Sequence, residues 1–149
     1  MCKTKGSNIE ERFSYALHTT ARTWRQALDS RMKDLGVSQA GWMTIALIAK
    51  SERPMSQIEL ANAQGIEGPS MVSMLDRLMK GGFIVREPSP TDRRVKLVML
   101  TEAGAALYTR LITKAAVFRK ELLTDIDPEK LRVATELLEQ LQQLLESDA

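Results

Sequence analysis

Residues 56–101 read SQIELANAQGIEGPSMVSMLDRLMKGGFIVREPSPTDRRVKLVMLT, and this stretch decides the fold. Its first four residues have the spacing of a capping box, which predicts a short helix that ends at Gly65. Gly68-Pro69 then opens a second helix, because a proline in the first turn has no hydrogen bond to lose. A short helix joined to a second one by a glycine-containing turn is a helix-turn-helix unit.

The second helix of this unit has an apolar side and a polar side. Helical spacing predicts that its inner face is formed by Val72, Leu75, Leu78 and Met79. The outer face then presents Ser70, Ser73, Met74 and Arg77. A helix-turn-helix unit offers this outer face to the major groove of DNA. A solvated polar helix face is the alternative interpretation.

The periodicity changes after Gly81-Gly82. Residues 83–87 and 95–100 are short runs rich in Val, Ile and Phe, which predict two β-strands. Between them lies PSPTDRR, a run of turn-forming residues that ends in two arginines. We therefore predict a two-stranded hairpin with a basic tip, placed directly after the second helix. Such a wing can insert an arginine into the minor groove of DNA.

Amphipathic helices flank this central module. Upstream, apolar residues recur every three or four positions from Ile9 to Leu35, which predicts one helix of roughly 26 residues that Gly36 ends. Another helix starts near Ser38. Downstream, Thr101 caps a fifth helix, and Asp127-Pro128 starts a sixth whose leucines are spaced like a coiled-coil seam. The predicted fold is mainly α with a small β-wing.

Composition excludes several classes of protein. The 149 residues include one Cys and one His, which excludes an internal disulfide framework and argues against a closed structural zinc site. His18 has no sequence partners that suggest a catalytic triad, and there is no Gly-rich phosphate loop, so neither an enzyme nor a cofactor is predicted. The N-terminus lacks an apolar segment, and the longest apolar run is residues 45–49. We therefore expect a cytoplasmic protein without a membrane span.

The net charge of +2 is small for a DNA-binding protein, but it is unevenly distributed. It is +4 over residues 1–50, +1 over residues 51–101 and −3 over residues 102–149. Within the middle segment, the basic residues concentrate in the Arg-Arg-Val-Lys run at 93–96. This asymmetry suggests a partner met by one part of the molecule only.

The wing sequence carries a family resemblance. Asp92-Arg93-Arg94, followed after five residues by Leu100-Thr101, resembles the wing motif of the MarR family of bacterial transcription regulators. Five further segments resemble the SlyA-like branch of that family in order and spacing, namely residues 22–25, 38–42, 56–61, 65–70 and 75–78. The resemblance covers about residues 10–145.

The resemblance implies a homodimer that binds double-stranded DNA at a palindromic operator, as a repressor or an anti-silencer. It implies an N-terminal dimerisation helix over residues 1–36, a winged helix-turn-helix domain over 37–101, and C-terminal dimerisation helices over 102–149. The leucine-rich sixth helix agrees with this, because it has more apolar surface than the small central module can cover. The two recognition helices would lie about 34 Å apart, one turn of DNA.

The resemblance also assigns roles in DNA binding. Arg94 is the minor-groove or backbone arginine, oriented by Asp92, while Arg93 and Lys96 are phosphate contacts. On the recognition helix, Ser70, Ser73 and Arg77 are contacts to phosphates or bases, although the SlyA-like branch often has a basic residue where Ser73 stands. Met71 and Met74 suit packing, with contact to a thymine methyl as the other role. Ser56 and Gln57 lie at a helix N-terminus, which suits a phosphate as well as a cap.

Members of the family commonly release DNA on binding a small aromatic or phenolic acid. Candidate ligand residues are Trp24 and Trp42 as apolar walls, with His18, Arg22 and Arg25 as polar partners for a carboxylate. Packing in the core is the alternative for the tryptophans, and solvation is the alternative for the arginines. Two other functions remain open: a winged-helix protein-interaction module that does not bind DNA, and a redox sensor that uses Cys2.

Overall fold

The described part of the chain, residues 8–148 of a computed structural model, contains six α-helices, a 3-10 turn and one small sheet. The mainly α winged-helix fold predicted from sequence is confirmed. The elements in chain order are α1 (Ile9–Arg31), a 3-10 turn (Lys33–Leu35), α2 (Gln39–Lys50), β1 (Met55–Ser56), α3 (Gln57–Gln64), α4 (Gly68–Lys80), β2 (Ile84–Pro88), β3 (Lys96–Leu100), α5 (Glu102–Leu123) and α6 (Pro128–Ser147).

Side-chain caps start α2, α3 and α6 at residues that the sequence marks. Ser38 Oγ accepts the Gly41 N–H at 3.1 Å, and Asp127 Oδ1 accepts the Glu129 N–H at 3.0 Å. Each cap satisfies an amide that the first turn of the helix leaves without an internal acceptor. The same chemistry starts α3, where both halves of the predicted capping box are present.

The first helix is shorter than predicted. It ends at Arg31, and the chain then tightens into the 3-10 turn before Gly36 adopts a left-handed conformation with φ 75°. The apolar spacing continues to Leu35 because that residue is buried in the core. Asp34 in the turn lies 3.0 Å from Lys114 Nζ on α5, and this hydrogen-bonded cation lowers the pKa of the carboxyl group.

The sheet has three strands, not the two that the sequence predicts. Its order is β1-β3-β2, and all pairings are antiparallel. The added strand is only two residues long, with Met55 opposite Val98, and it leads directly into α3. Since two residues are too few to show a periodicity, only their pairing with β3 defines this strand.

A hydrophobic core fixes the wing against the helix-turn-helix unit. Ile45 of α2, Leu60 of α3 and Leu75 of α4 are fully buried, together with Val98 of β3. The chain falls into two compact units with the boundary between Ala115 and Ala116, so this core belongs to the first unit. In the second unit, α6 has no buried residue among those described.

The junction between the wing and α5 is unusually close. Thr101 caps α5 by accepting the Gly104 N–H at 3.1 Å, and its hydroxyl donates to the Gly82 carbonyl at 2.6 Å. The Thr101 N–H donates to the Phe83 carbonyl at 3.0 Å. A side chain at position 104 would place its Cβ 2.1 Å from that same carbonyl oxygen. Glycine is therefore the residue that lets α5 pack this closely against the start of β2.

Candidate nucleic-acid interface

The wing tip, residues 89–95 between β2 and β3, is organised by short-range hydrogen bonds. The Ser89 N–H donates to the Val95 carbonyl at 2.8 Å, and the Val95 N–H donates to the Asp92 carbonyl at 3.0 Å. The hydroxyls of Ser89 and Thr91 lie 3.0 Å apart. These contacts give the charged turn a defined backbone on which its arginines are mounted.

Arg94 is held at one nitrogen and free at the others. Asp92 Oδ1 accepts from the Arg94 backbone N–H at 3.0 Å and from its Nε at 3.2 Å, so the predicted ion pair is present. The Arg94 side chain is nevertheless 92% exposed. Because Asp92 engages only Nε, both terminal nitrogens can donate to an external acceptor. Arg93 and Lys96 are exposed at the same end of the hairpin.

The face that α4 turns outward differs from the predicted one. Met71 and Met74 are 0% and 3% exposed, which confirms packing as their role; the other role, contact with a thymine methyl group, and the outward position expected for Met74 are wrong. The inner face is completed by Leu75 and Leu78, whereas Val72 and Met79, which were expected inside, are exposed. Helical spacing alone could not choose between these stripes, because both consist of apolar residues three or four positions apart. Exposed polar residues of α4 include Ser70, Ser73, Asp76 and Arg77.

The two candidate residues at the N-terminus of α3 have different environments. Ser56 is buried and its hydroxyl accepts the Glu59 N–H at 3.1 Å, so the predicted cap is confirmed, while the contact of Ser56 with a phosphate stays a prediction. Gln57 is half-buried, and its side-chain carbonyl accepts from Arg86 Nη1 at 3.1 Å. The amide group of Gln57 keeps its own two donors for another partner.

Arg86 is a structural residue that the sequence reading missed. Its guanidinium group donates to Gln57 of α3 and to the Asp76 carboxylate of α4. The side chain is only 17% exposed although it starts from β2. One arginine of the wing thus joins both helices of the helix-turn-helix unit. Its position two residues before a turn gave no signal, because the partners come from elements 10 and 29 residues away.

Two apolar side chains on this unit face solvent. Ile58 of α3 is 71% exposed, and Val72 of α4 is 39% exposed. Both line a groove of about 400 Å³ between the two helices, to which Gln57 also contributes. We call this the α3–α4 groove. Its full lining is Gln57, Ile58, Ala61, Asn62, Ile66, Glu67, Gly68 and Val72.

Known proteins resemble this chain in sequence and architecture. A solved structure described as transcriptional regulator PA3341 is 34% identical, with a TM-score of 0.80, and the alignment covers 91% of this chain and 98% of that one. The model of the MarR family matches residues 37–96, the span from before α2 to the start of β3. The chain belongs to the MarR family. This is a family of transcriptional regulators, as the resemblance of the wing motif predicted.

Solved structures of lower sequence identity share the fold. Wild-type MarR from E. coli without ligand is 21% identical, with a TM-score of 0.79 over 93% of this chain and 98% of that one. CouR from Rhodococcus jostii RHA1, solved with bound p-coumaroyl-CoA, is 18% identical, with a TM-score of 0.75 over 91% of this chain and 95% of that one. At these identities the similarity concerns the fold alone.

The structure does not assemble the predicted ligand residues of this MarR protein into one cleft. Trp42 is buried, and its Nε1–H donates to Asp29 Oδ1 at 2.8 Å, which ties α2 to α1. The prediction that Trp42 forms a ligand wall is therefore wrong, because its ring is part of the core. Trp24 is partly buried on α1. The polar candidates His18, Arg22 and Arg25 are exposed along that helix.

A different cavity lies beside the recognition helix. It measures about 220 Å³ and has mixed walls of glycines, apolar side chains and one cation, Arg77. The lining consists of Gly36, Val37, Ser38, Gly41, Met74, Arg77, Leu78, Gly81 and Phe83. The sequence reading missed it because its walls come from α2, α4 and the turn before β2, which are distant in sequence.

Two remaining predictions have different outcomes. Cys2 lies outside the described residues 8–148, so the redox alternative stays a prediction. Within the described chain, none of the helices combines the length and apolar character needed to cross a membrane.

Proposed function

We propose that this MarR-family protein is a homodimeric regulator that binds double-stranded DNA at a palindromic operator. The observation that carries the proposal is the ordered wing tip, on which Arg94 is 92% exposed with two nitrogens free. An arginine presented in this way suits the minor groove, where the potential is most negative. Because five of its segments resemble the SlyA-like branch, we propose that the protein belongs to that branch. We propose further that it acts in the cytoplasm as a repressor or an anti-silencer.

The exposed face of α4 supplies the second part of the interface. Ser70, Ser73 and Arg77 would contact phosphates and base edges in the major groove. Arg93 and Lys96 of the wing would neutralise phosphates. At the N-terminus of α3, the Gln57 amide would donate a hydrogen bond to the DNA backbone. Because Ser73 is not basic, specific recognition at that position would rest on a hydroxyl.

Dimerisation follows from the terminal helices. On α1, Ile9, Phe13 and Leu17 are exposed apolar residues. On α6, Leu131, Leu138 and Leu145 are exposed as well, and that helix buries none of its described residues. Apolar surfaces of this extent mark interfaces, and two-fold symmetry is the commonest way to cover them. The predicted division into dimerisation and DNA-binding segments stays a prediction.

Selection of duplexes from the genome of the source organism tests the proposal. We expect the purified protein to enrich a palindromic sequence and to bind it as a dimer. The affinity should fall steeply between 50 and 200 mM salt, because each neutralised phosphate releases counterions, by roughly 10³-fold for six contacts. Gel shifts at several salt concentrations, with light scattering for the stoichiometry, measure both properties.

A scrambled duplex of the same composition is the control. Equal affinity for the two duplexes would contradict sequence-specific binding. Absence of salt-dependent duplex binding would instead favour the protein-interaction alternative. Monomeric protein at the concentrations used would contradict the dimer.

A small aromatic acid is the effector that the 220 Å³ cavity fits best. Its volume is below the roughly 300–1,000 Å³ of sites for drug-sized ligands, which favours a single aromatic ring over a coenzyme A thioester such as the CouR ligand. Arg77 would pair with the carboxylate, and this residue also belongs to the proposed DNA-binding face. Occupation of the cavity would therefore compete directly with DNA for one arginine.

Calorimetric titration with benzoate and hydroxybenzoates tests this effector class. Arg77→Gln is expected to weaken binding about tenfold or more, the value of a hydrogen bond to a charged group. Lys80→Gln is the matched control, because Lys80 is an exposed cation of α4 that does not line the cavity. Equal affinity of the two variants for the aromatic acid would contradict the role of Arg77 and the assignment of this cavity as the effector site.

A further inference from the structure

The α3–α4 groove exposes apolar side chains on an element that is proposed to face DNA. Val72 extends from the recognition helix, and Ile58 extends from α3 across the groove. Neither residue contributes to the core, whose α4 side consists of Met71, Met74, Leu75 and Leu78. Single exposed apolar residues are ordinary on protein surfaces, but here two of them line the same groove.

The groove is not suited to a phosphate. Glu67 lines it and would repel an anion, and the Glu67 carboxylate takes no part in capping α4. Among the described residues no Lys or Arg lines the groove, and Arg86, which donates to Gln57, is already paired with Asp76. A carboxylate acceptor beside apolar side chains instead matches a base edge, because adenine and cytosine display an amino donor in the major groove and thymine displays a methyl group.

From this arrangement we infer that the α3–α4 groove reads a thymine, with Val72 and Ile58 packing against its C5-methyl group. The inference rests on the proposed DNA-binding function and adds to it a specificity-determining residue, Val72. Thymine carries the only apolar group that the bases present in the major groove, so it is the occupant whose chemistry matches the two side chains. Gln57 also lines the groove, so this contact would adjoin the proposed contact of Gln57 with the DNA backbone.

Substituting uracil for thymine in the selected operator tests the inference, since uracil lacks only the methyl group. With one thymine replaced in each half-site, the substitution is expected to weaken binding by the wild-type protein about fourfold per half-site, the contribution of one buried methyl-sized group, and therefore about fifteenfold for the dimer. Val72→Ala should lose about the same factor on the thymine operator and should be nearly insensitive to the uracil substitution. The measured quantity is the ratio of the affinities for the thymine and uracil operators, compared between the wild type and Val72→Ala. A smaller ratio for the variant shows that Val72 and the methyl group interact.

Val85→Ala is the matched control, because Val85 is also 39% exposed but lies on β2 outside the groove. This variant should retain the full preference for thymine over uracil. Circular dichroism melting confirms that both variants fold, which is expected since each loses an exposed side chain.

The outcomes distinguish the inference from the function on which it rests. If no duplex is bound specifically, the proposed function itself fails. If the operator is bound but no thymine shows coupling to Val72, the DNA-binding function stands and the thymine-reading role is wrong. If Val72→Ala leaves operator binding unchanged and abolishes binding to a protein partner, the groove is a protein-docking surface and the inference is overturned.

Discussion

Arg94→Ala is expected to weaken operator binding roughly tenfold at each wing, within the range of 1–3 kcal/mol for a specific arginine contact. The physical reason is the geometry of the wing tip, where Asp92 engages Nε and leaves two guanidinium nitrogens exposed. The loss of each phosphate neutralisation should also lower the slope of log affinity against log salt by about one unit. Fluorescence anisotropy over a range of salt concentrations measures both effects.

Two further variants make this result specific. Asp92→Ala keeps the cation and removes its support, so the salt slope should stay while the affinity falls by less than in Arg94→Ala. Arg132→Ala is the control, because Arg132 of α6 is likewise an arginine paired with carboxylates but lies outside the wing. An unchanged affinity of Arg94→Ala, or an equal loss in Arg132→Ala, would contradict the role assigned to the wing.

Gly104→Ala is expected to destabilise the fold by about 3 kcal/mol or more, at the upper end of overpacking in a well-packed site. The added Cβ would lie 2.1 Å from the Phe83 carbonyl oxygen, which is backbone and already accepts the Thr101 N–H. Relief requires α5 to move away from the start of β2. For a chain of this length, such a loss lowers the melting temperature by roughly 10 °C, as thermal unfolding would measure.

Gly68→Ala provides the control for this prediction. An added Cβ at Gly68 meets no atom within 4 Å, and the residue is helical without a positive φ. Alanine should therefore cost far less than at position 104, because the only crowding it adds is with the following Pro69 and this is offset by the backbone entropy that glycine loses on folding. Equal melting temperatures for Gly104→Ala and the wild type would show that the junction is not as close as the structure indicates.

Much of the fold follows from local signals. Ser38, Thr101 and Asp127 start helices because their side chains can accept a first-turn amide, a property that depends on a few neighbouring residues. The wing hairpin follows from a turn-forming run between two β-prone runs, and its Asp92–Arg94 pair spans only two residues. The basic wing motif was also sufficient to indicate the MarR family.

The errors have one cause, which is that burial depends on what packs against a helix. Met71 and Val72 are both apolar and adjacent, and only the position of α4 against the core decides that the first is buried and the second exposed. Trp42 was assigned to a ligand cleft although the core and Asp29 enclose it. Spacing along a helix gives the width of an apolar stripe but not the direction in which it faces.

The sequence by itself therefore determined the order of the elements, their caps and the basic wing, because these depend on interactions within a few residues. The tertiary structure alone decided the third strand, the placement of Arg86 between α3 and α4, and the α3–α4 groove with Ile58 and Val72. Each of these joins segments that are distant in the chain. Packing and strand register in three dimensions determine which segments meet. A local sequence pattern does not specify either of them.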